Sequence, residues 1–151
     1  MPIYLLSDRE LHKKVSDDFG YAPGVYRLHF QSEAGIFTHI QRLLDTDDQG
    51  ILYIGTSISL PYRISSLKRS ISAAYGVDGY TDPGTHQCGK KIVQSPRFRE
   101  HFPFSGFCLT VEPCELHDDN VGYGEGDHTR LEWEKLSEYF SRFGEFPPLN
   151  G

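Results

Sequence analysis

The sequence predicts an α+β fold in which a small central antiparallel sheet is flanked by helices. Strand-like segments between residues 24 and 54 are joined by short connections, which favour antiparallel neighbours. Apolar side chains then recur at helical spacing over residues 60–74, and a second amphipathic helix is predicted over residues 129–143. This order of strands and helices indicates a sheet that packs against helices.

The N-terminal half of the chain predicts one helix followed by the strands. "SDRELHKKVSDDF" contains an S-x-x-E capping box at Ser7 and Glu10, so a short helix is expected, outside the main sheet. "PGVYRLHF" alternates as a strand does, "GIFTHIQRLL" alternates less cleanly, and "DTDDQG" leads by turn chemistry into the strand "ILYIG". These segments predict the antiparallel part of the fold.

The C-terminal half predicts two well-defined helices separated by loops and one strand. The first helix has an apolar stripe and tolerates Pro61 in its first turn. A long glycine-rich loop, "GVDGYTDPGTHQCG", precedes a short capped helix in "SPRFREHF" and a strand in "SGFCLTVEPCE". A second polar loop leads to the helix "TRLEWEKLSEYFSRF", which ends at Gly144.

Length and composition predict one globular domain over residues 1–151, with residues 1–20 as an N-terminal helical extension. No segment approaches the ~20 apolar residues that cross a bilayer, so membrane insertion is not expected. The first residues do not form a secretory signal, and a cytoplasmic location is expected. Three cysteines without a C-x-x-C pair argue against a disulfide framework or a paired-cysteine zinc site.

The net charge of −6 is unfavourable for binding nucleic acid, but the charge is unevenly distributed. Residues 62–101 carry a charge of +4, which leaves −10 for the rest of the chain. The seven basic residues of that region are Arg63, Lys68, Arg69, Lys90, Lys91, Arg97 and Arg99. The basic region therefore begins shortly after the strand "ILYIG".

Glu132 is the first candidate functional residue. On a helical projection it lies on the apolar face between Tyr139 and Phe143, whereas Glu134 points to the opposite side. A carboxylate on a core-facing stripe is unfavourable without a partner. Two partners remain open: a backbone N–H in a T-x-x-E capping box that begins at Thr129, or a metal ion.

Arg63 is the second candidate, because it borders the apolar stripe of its helix while Arg69 points to solvent. The planar guanidinium fork of arginine suits phosphate oxygens, so a partly sheltered arginine fits a phosphodiester site. The alternative is a side chain whose stem merely covers apolar surface.

Three ordered motifs point to a family. They are "GVY" at residues 24–26, "LYIG" at residues 52–55 with Arg63 ten residues after Tyr53, and "RLEWEKLSEYFSRFGEFPPLNG" near the C-terminus. Together these motifs resemble the GIY-YIG nuclease family over roughly residues 20–151. The resemblance implies a compact nuclease domain that hydrolyses DNA with the help of Mg²⁺ or Mn²⁺.

The resemblance also implies roles for five residues. Tyr26 would be the general base or the group that orients the attacking water, and Tyr53 would share its hydrogen-bond network. Arg63 would bind the scissile phosphate, and Glu132 would hold one divalent metal ion. Asn150 matches the closing asparagine, which would help to order the site.

The chain departs from the family pattern in two places. Many relatives have a tyrosine or histidine one helical turn after the arginine, where this chain has Leu67. His86, in the following loop, is the candidate to supply the missing hydrogen bond; otherwise it is a solvated loop residue. The segment between Tyr26 and Tyr53 is also longer than in compact relatives, which predicts a lengthened hairpin.

DNA is the expected partner, and four basic residues are candidates to contact its backbone: Lys68, Arg69, Lys90 and Lys91. Because no appended DNA-binding domain is evident, targeting would depend on loops, on a homodimer or on a protein partner.

Other functions remain open at this point. A nucleic-acid-binding or regulatory module with little activity is favoured by the negative net charge and by Leu67. A zinc protein would draw on His86, Cys88, His101, Cys108, Cys114 or His117, but the spacings match no compact ligand set. A cysteine hydrolase is less supported still, because nothing in the sequence marks one thiol as activated.

Overall fold

A computed structural model describes residues 2–114 and 127–151 and has the predicted α+β architecture. The strands are β1 (Tyr4–Leu5), β2 (Gly24–Phe30), β3 (Ile40–Gln41), β4 (Thr46–Asp47), β5 (Ile51–Ser57) and β6 (Phe107–Pro113). The helices are α1 (Leu11–Phe19), α2 (Leu60–Tyr75), α3 (Gln87–Val93), α4 (Pro96–His101) and α5 (Asp127–Phe143). Short 3₁₀ turns cover residues 83–85 and 104–106.

The main sheet has four antiparallel strands in the order β1-β6-β2-β5. β2 and β5 pair directly, so the predicted lengthened hairpin is confirmed, and β3 and β4 form a small second sheet in its connection. The N-terminal segment supplies β1 as well as the predicted helix, so it is also part of the main sheet.

Helices cover both faces of the sheet. α2 packs with α1 and α3 on the face that carries Tyr26 and Leu28, and its stripe Leu60, Ile64, Leu67 and Ile71 is buried there. α5 packs on the other face, where Tyr139 and Phe143 meet Val25, Ile51 and Ile54. Alternate side chains of β2 therefore belong to two separate apolar clusters, as expected for a strand that is covered on both sides.

The C-terminal tail occupies the open edge of β5. The backbone N–H of Leu149 donates to the Leu52 carbonyl at 2.8 Å. The Asn150 side chain accepts from the Ile54 N–H and donates to the Ile54 carbonyl, both at 2.9 Å. The amide side chain of Asn150 thus acts like one residue of a neighbouring strand, because it makes hydrogen bonds to both backbone polar groups of Ile54 at the edge of the sheet.

Two local predictions were wrong, and one short helix was not predicted. The Ser7–Glu10 capping box does not form, because α1 begins at Leu11 and its N-cap, Glu10, makes no side-chain capping bond. The predicted glycine-rich loop contains the 3₁₀ turn 83–85, and α3 begins within its last residues. α3 was missed because its seven residues are too few to show a helical period.

The start and the inward face of α5 also differ from prediction. The helix begins at Asp127, so Thr129 is its third residue and not its cap. Trp133 and Phe140, although aromatic and close on a helical projection to the apolar face that carries Tyr139 and Phe143, are exposed. None of the helices in the described part of the chain is long and apolar enough to cross a membrane.

Candidate functional site

Tyr26 and Tyr53 lie side by side on the α2 face of the sheet. Gly55 is paired directly with Tyr26 across β2 and β5. A Cβ atom at position 55 would lie 2.5 to 2.6 Å from atoms of both tyrosine rings, so only glycine leaves space for them. The ring centroids of Tyr26 and Tyr53 are 6.1 Å apart. Packing of these two rings therefore explains why the "YIG" segment has a glycine at position 55.

His86 joins this pair from the N-terminus of α3. Its Nδ1 accepts the backbone N–H of Cys88 at 3.1 Å. In a neutral imidazole the other nitrogen then carries the proton, so Nε2–H donates to the Tyr26 hydroxyl at 2.8 Å. The Leu67 side chain is fully buried in the apolar stripe of α2, and His86 is the residue that hydrogen-bonds Tyr26.

The position of His86 is set by contacts between α2 and the segment that precedes α3. The Ser70 hydroxyl lies 2.8 Å from the His86 carbonyl oxygen, and the Thr85 hydroxyl donates to the Ser66 carbonyl at 3.2 Å. The His86 ring centroid is 5.2 Å from that of Tyr53, in an edge-to-face arrangement. His86 is therefore a buried member of the site and not a solvated loop residue.

Gln87 is a site residue that the sequence did not reveal. Its Nε2 donates to the Tyr53 hydroxyl at 2.9 Å. The only signal available was its place next to His86 in "THQCG". Since each tyrosine oxygen accepts one bond from this segment, each phenol has its own proton left to donate.

Burial keeps all three aromatic groups neutral. Desolvation, followed by the charge of Arg63, lowers the pKa of His86 from 6.5 to about 3. Desolvation also raises the pKa of Tyr53 to about 12 and holds the pKa of Tyr26 well above its usual value of 10. Arg63 lowers the pKa of Tyr26 but does not outweigh burial. At neutral pH both phenols keep their protons, which suits orientation of a water better than proton abstraction.

The charges of Arg63 and Glu132 both act on this aromatic group. After burial, which is the main cause, the charge of Glu132 raises the Tyr53 pKa and that of Arg63 lowers it. Both side chains are partly buried. Within residues 2–114 and 127–151, neither forms a salt bridge, with the other or with a third residue. Two opposite charges thus act on the same phenol without neutralising each other.

Glu132 is suited to hold a cation. Desolvation raises its pKa, and its carboxylate makes no hydrogen bond to another described residue, so the capping bond that was one of the two alternatives is not made. The described residues contain no group of three or more His, Cys, Asp or Glu side chains placed to bind a metal. A single carboxylate fits Mg²⁺, which retains most of its waters. His117, named for a zinc site, lies outside the described residues.

The remaining predicted residues, Asn150 and the four basic candidates for DNA contact, differ in whether their side chains bond other parts of the protein or are exposed. The Asn150 side chain bonds the Ile54 backbone on both sides, so it positions β5 next to Tyr53. The Lys68 ammonium donates to the Asp8 carbonyl, and Lys91 donates to the Leu149 carbonyl at 2.9 Å. These two lysines tie down α1 and the C-terminal tail, whereas Arg69 and Lys90 are exposed.

Comparison with known proteins gave no relative: no family model, curated protein or solved structure matches the chain.

The burial of His86 predicts a pH-dependent stability. Its pKa in the folded protein is about 3 and its unfolded value is 6.5, so below pH 6.5 the unfolded chain binds the proton first. Stability contributed by neutral His86 is complete above pH 6.5 and decreases toward pH 3. Between pH 7 and pH 5 the loss is expected to be about 2 kcal/mol.

Urea unfolding at pH 7 and pH 5 measures this effect. His86→Gln should remove most of that pH dependence, leaving the part contributed by buried His29. His101→Gln, at an exposed position, should behave as the parent. The assignment of His86 as a buried neutral group is wrong if His86→Gln and the parent lose the same free energy of unfolding.

Proposed function

We propose that this chain is a divalent-metal-dependent endonuclease with a GIY-YIG-like fold that hydrolyses DNA phosphodiester bonds. One observation carries the proposal: a partly buried arginine from α2 and a partly buried carboxylate from α5 both act on Tyr53 through their charges, and they form no ion pair with each other. Leaving two such charges unpaired costs free energy, and a phosphate and a cation bound between them would recover it.

Arg63 would bind the scissile phosphate. Its guanidinium fork can donate to two phosphoryl oxygens and stabilise the charge that develops on them during hydrolysis. Because the group is partly desolvated and fixed by the first turns of α2, that stabilisation is stronger than it would be in bulk water.

The tyrosines would orient the attacking water and not ionise. The Tyr26 oxygen accepts the His86 Nε2–H, so the Tyr26 proton remains available to a water that enters beside Arg63. Tyr53 is held in the same way by Gln87. Tyr26 itself is fully buried, so the water would enter together with the substrate.

Glu132 would hold the divalent ion through one carboxylate. When bound, such an ion supplies positive charge that stabilises the departing oxygen. The Glu132 carboxylate, with its raised pKa and its lack of a described hydrogen-bond partner, is the group that fits this role.

The second candidate function is a DNA-binding or regulatory module with little activity. Full burial of Tyr26 favours it, because a buried hydroxyl does not reach an attacking water. Under this reading Arg63 still binds a phosphate, but no water is activated.

Cleavage assays distinguish the two functions. Supercoiled plasmid should be nicked with Mg²⁺ or Mn²⁺ and remain intact with EDTA. Sequencing the ends produced from a diverse DNA pool then separates a sequence-specific enzyme, which leaves defined ends, from one that selects branches or flaps. Binding of DNA without cleavage under any of these metal conditions would favour the module over the enzyme.

A further inference from the structure

A second group of aromatic and basic residues lies on the outer surface of α1 and α2. Tyr21 and Tyr62 are 57% and 62% exposed, and their rings stack with centroids 5.5 Å apart and an interplanar angle of 28°. The His12 ring lies edge-on to Tyr62 at 5.5 Å, and its Nδ1 is 2.8 Å from the Ser65 hydroxyl. These contacts fix the rings without covering them.

A small basic pocket of about 270 Å³ adjoins the stacked rings and shares His12 with them. Its lining residues are Arg9, Leu11, His12, Ser65, Lys68, Arg69 and Tyr80, and no carboxylate is among them. Asp8, which lies nearby, is paired with Lys14. Asp78 acts on Lys68 through its charge. We call this pocket together with Tyr21 and Tyr62 the tyrosine–arginine strip.

The composition of the strip favours nucleic acid over other partners. Exposed aromatic rings offer flat faces on which a base can stack, and cations at one end of them fit the phosphate that accompanies the base. The strip is unlike an apolar groove for a protein helix, because all of its lining residues except Leu11 are polar, basic or tyrosine. Charge and shape therefore both match a nucleotide chain.

The strip also favours unpaired over paired DNA. In a duplex each base is stacked on both sides, so its face is not available to a tyrosine. An unpaired base has no such restriction, and stacking on aromatic side chains is the usual way in which single strands are bound. Tyr62 immediately precedes Arg63 in α2, so the strip and the arginine proposed to bind phosphate lie on the same turn of that helix, with their side chains about 100° apart around its axis.

We propose that the tyrosine–arginine strip binds an unpaired segment of DNA, with bases stacked on Tyr21 and Tyr62 and a phosphate in the basic pocket. The substrate class is then DNA that is single-stranded next to the cut, such as a flap or a gap. The cleavage part of this inference rests on the proposed nuclease function, whereas the binding part does not.

Fluorescence anisotropy with a labelled 12-nucleotide oligo-dT, in EDTA so that no cleavage occurs, tests the binding. Tyr62→Ala and Tyr21→Ala should each weaken binding roughly 5- to 150-fold, and Tyr62→Phe should keep it within about threefold, because the ring and not the hydroxyl stacks. Phe140→Ala, at an exposed aromatic on α5, is the matched control. Arg69→Ala should reduce the salt dependence of binding, whereas Arg97→Ala should not.

The comparison with duplex DNA of equal length decides the preference for unpaired segments. Tyr62→Ala should weaken binding of the single strand and leave that of the duplex within about twofold. Equal losses on both, or no loss on either, would overturn the inference.

The same variants separate this inference from the nuclease proposal. A protein that binds oligo-dT through the strip but cleaves nothing would retain the inference and refute the nuclease. A protein that cleaves plasmid but shows no effect of Tyr62→Ala on oligo-dT binding would do the reverse.

Discussion

Glu132→Ala is expected to lower metal-dependent DNA cleavage at least ~100-fold, because it removes the carboxylate assigned to the cation. Single-turnover cleavage across a series of Mg²⁺ and Mn²⁺ concentrations measures the change. The folded state should not lose stability, since the carboxylate is desolvated and makes no described hydrogen bond or ion pair.

Glu134→Ala is the matched control for this prediction. Glu134 is two residues away on the same helix and is exposed, so its loss should change the rate less than about threefold. Calorimetric titration of Mn²⁺ without DNA adds a second measurement, in which only Glu132→Ala should weaken binding. If the two variants cleave equally well, the metal assignment is wrong.

Arg63→Ala is expected to reduce the cleavage rate by about 10²- to 10³-fold, the usual cost of removing a group that stabilises developing negative charge. Arg63→Lys should recover only part of this loss, because an ammonium lacks the planar fork that contacts two oxygens. Single-turnover rates at saturating DNA isolate the effect on chemistry from the effect on affinity.

Arg97→Ala provides the control for a change in overall charge, since Arg97 is exposed on α4. Its cleavage rate should stay close to that of the parent. An Arg63→Ala protein that is folded, binds DNA and cleaves within about threefold of the parent would show that Arg63 does not act on the phosphate.

Local sequence patterns were sufficient for the elements on which the site is built. The alternating segment became β2, and the regular apolar spacing with Pro61 in the first turn became α2. Ser95 caps α4 as predicted, by accepting the Phe98 N–H at 3.3 Å. In each case the free energy is decided by residues within a few positions of one another.

The surroundings of Tyr26 and Tyr53 were only partly predictable. His86 was a candidate because Leu67 left a hydrogen bond unfilled, but a loop histidine has no local feature that shows which way it faces. Its contact with Tyr26 spans sixty residues. Gln87 gave no comparable signal, and its bond to Tyr53 appears only when α3 packs on α2.

The sequence by itself determined most of the segments that form strands and helices, although not β1 or α3, and it determined that Glu132 lies on the inward side of its helix. The tertiary structure decided that β6 enters the sheet between β1 and β2, that Trp133 is exposed, and that Glu132 has no described partner where a capping bond was possible. The physical reason is that strand order and side-chain pairing depend on groups far apart in the chain. Contacts between such distant groups contribute to stability only after the intervening chain has been closed into a loop, which costs entropy.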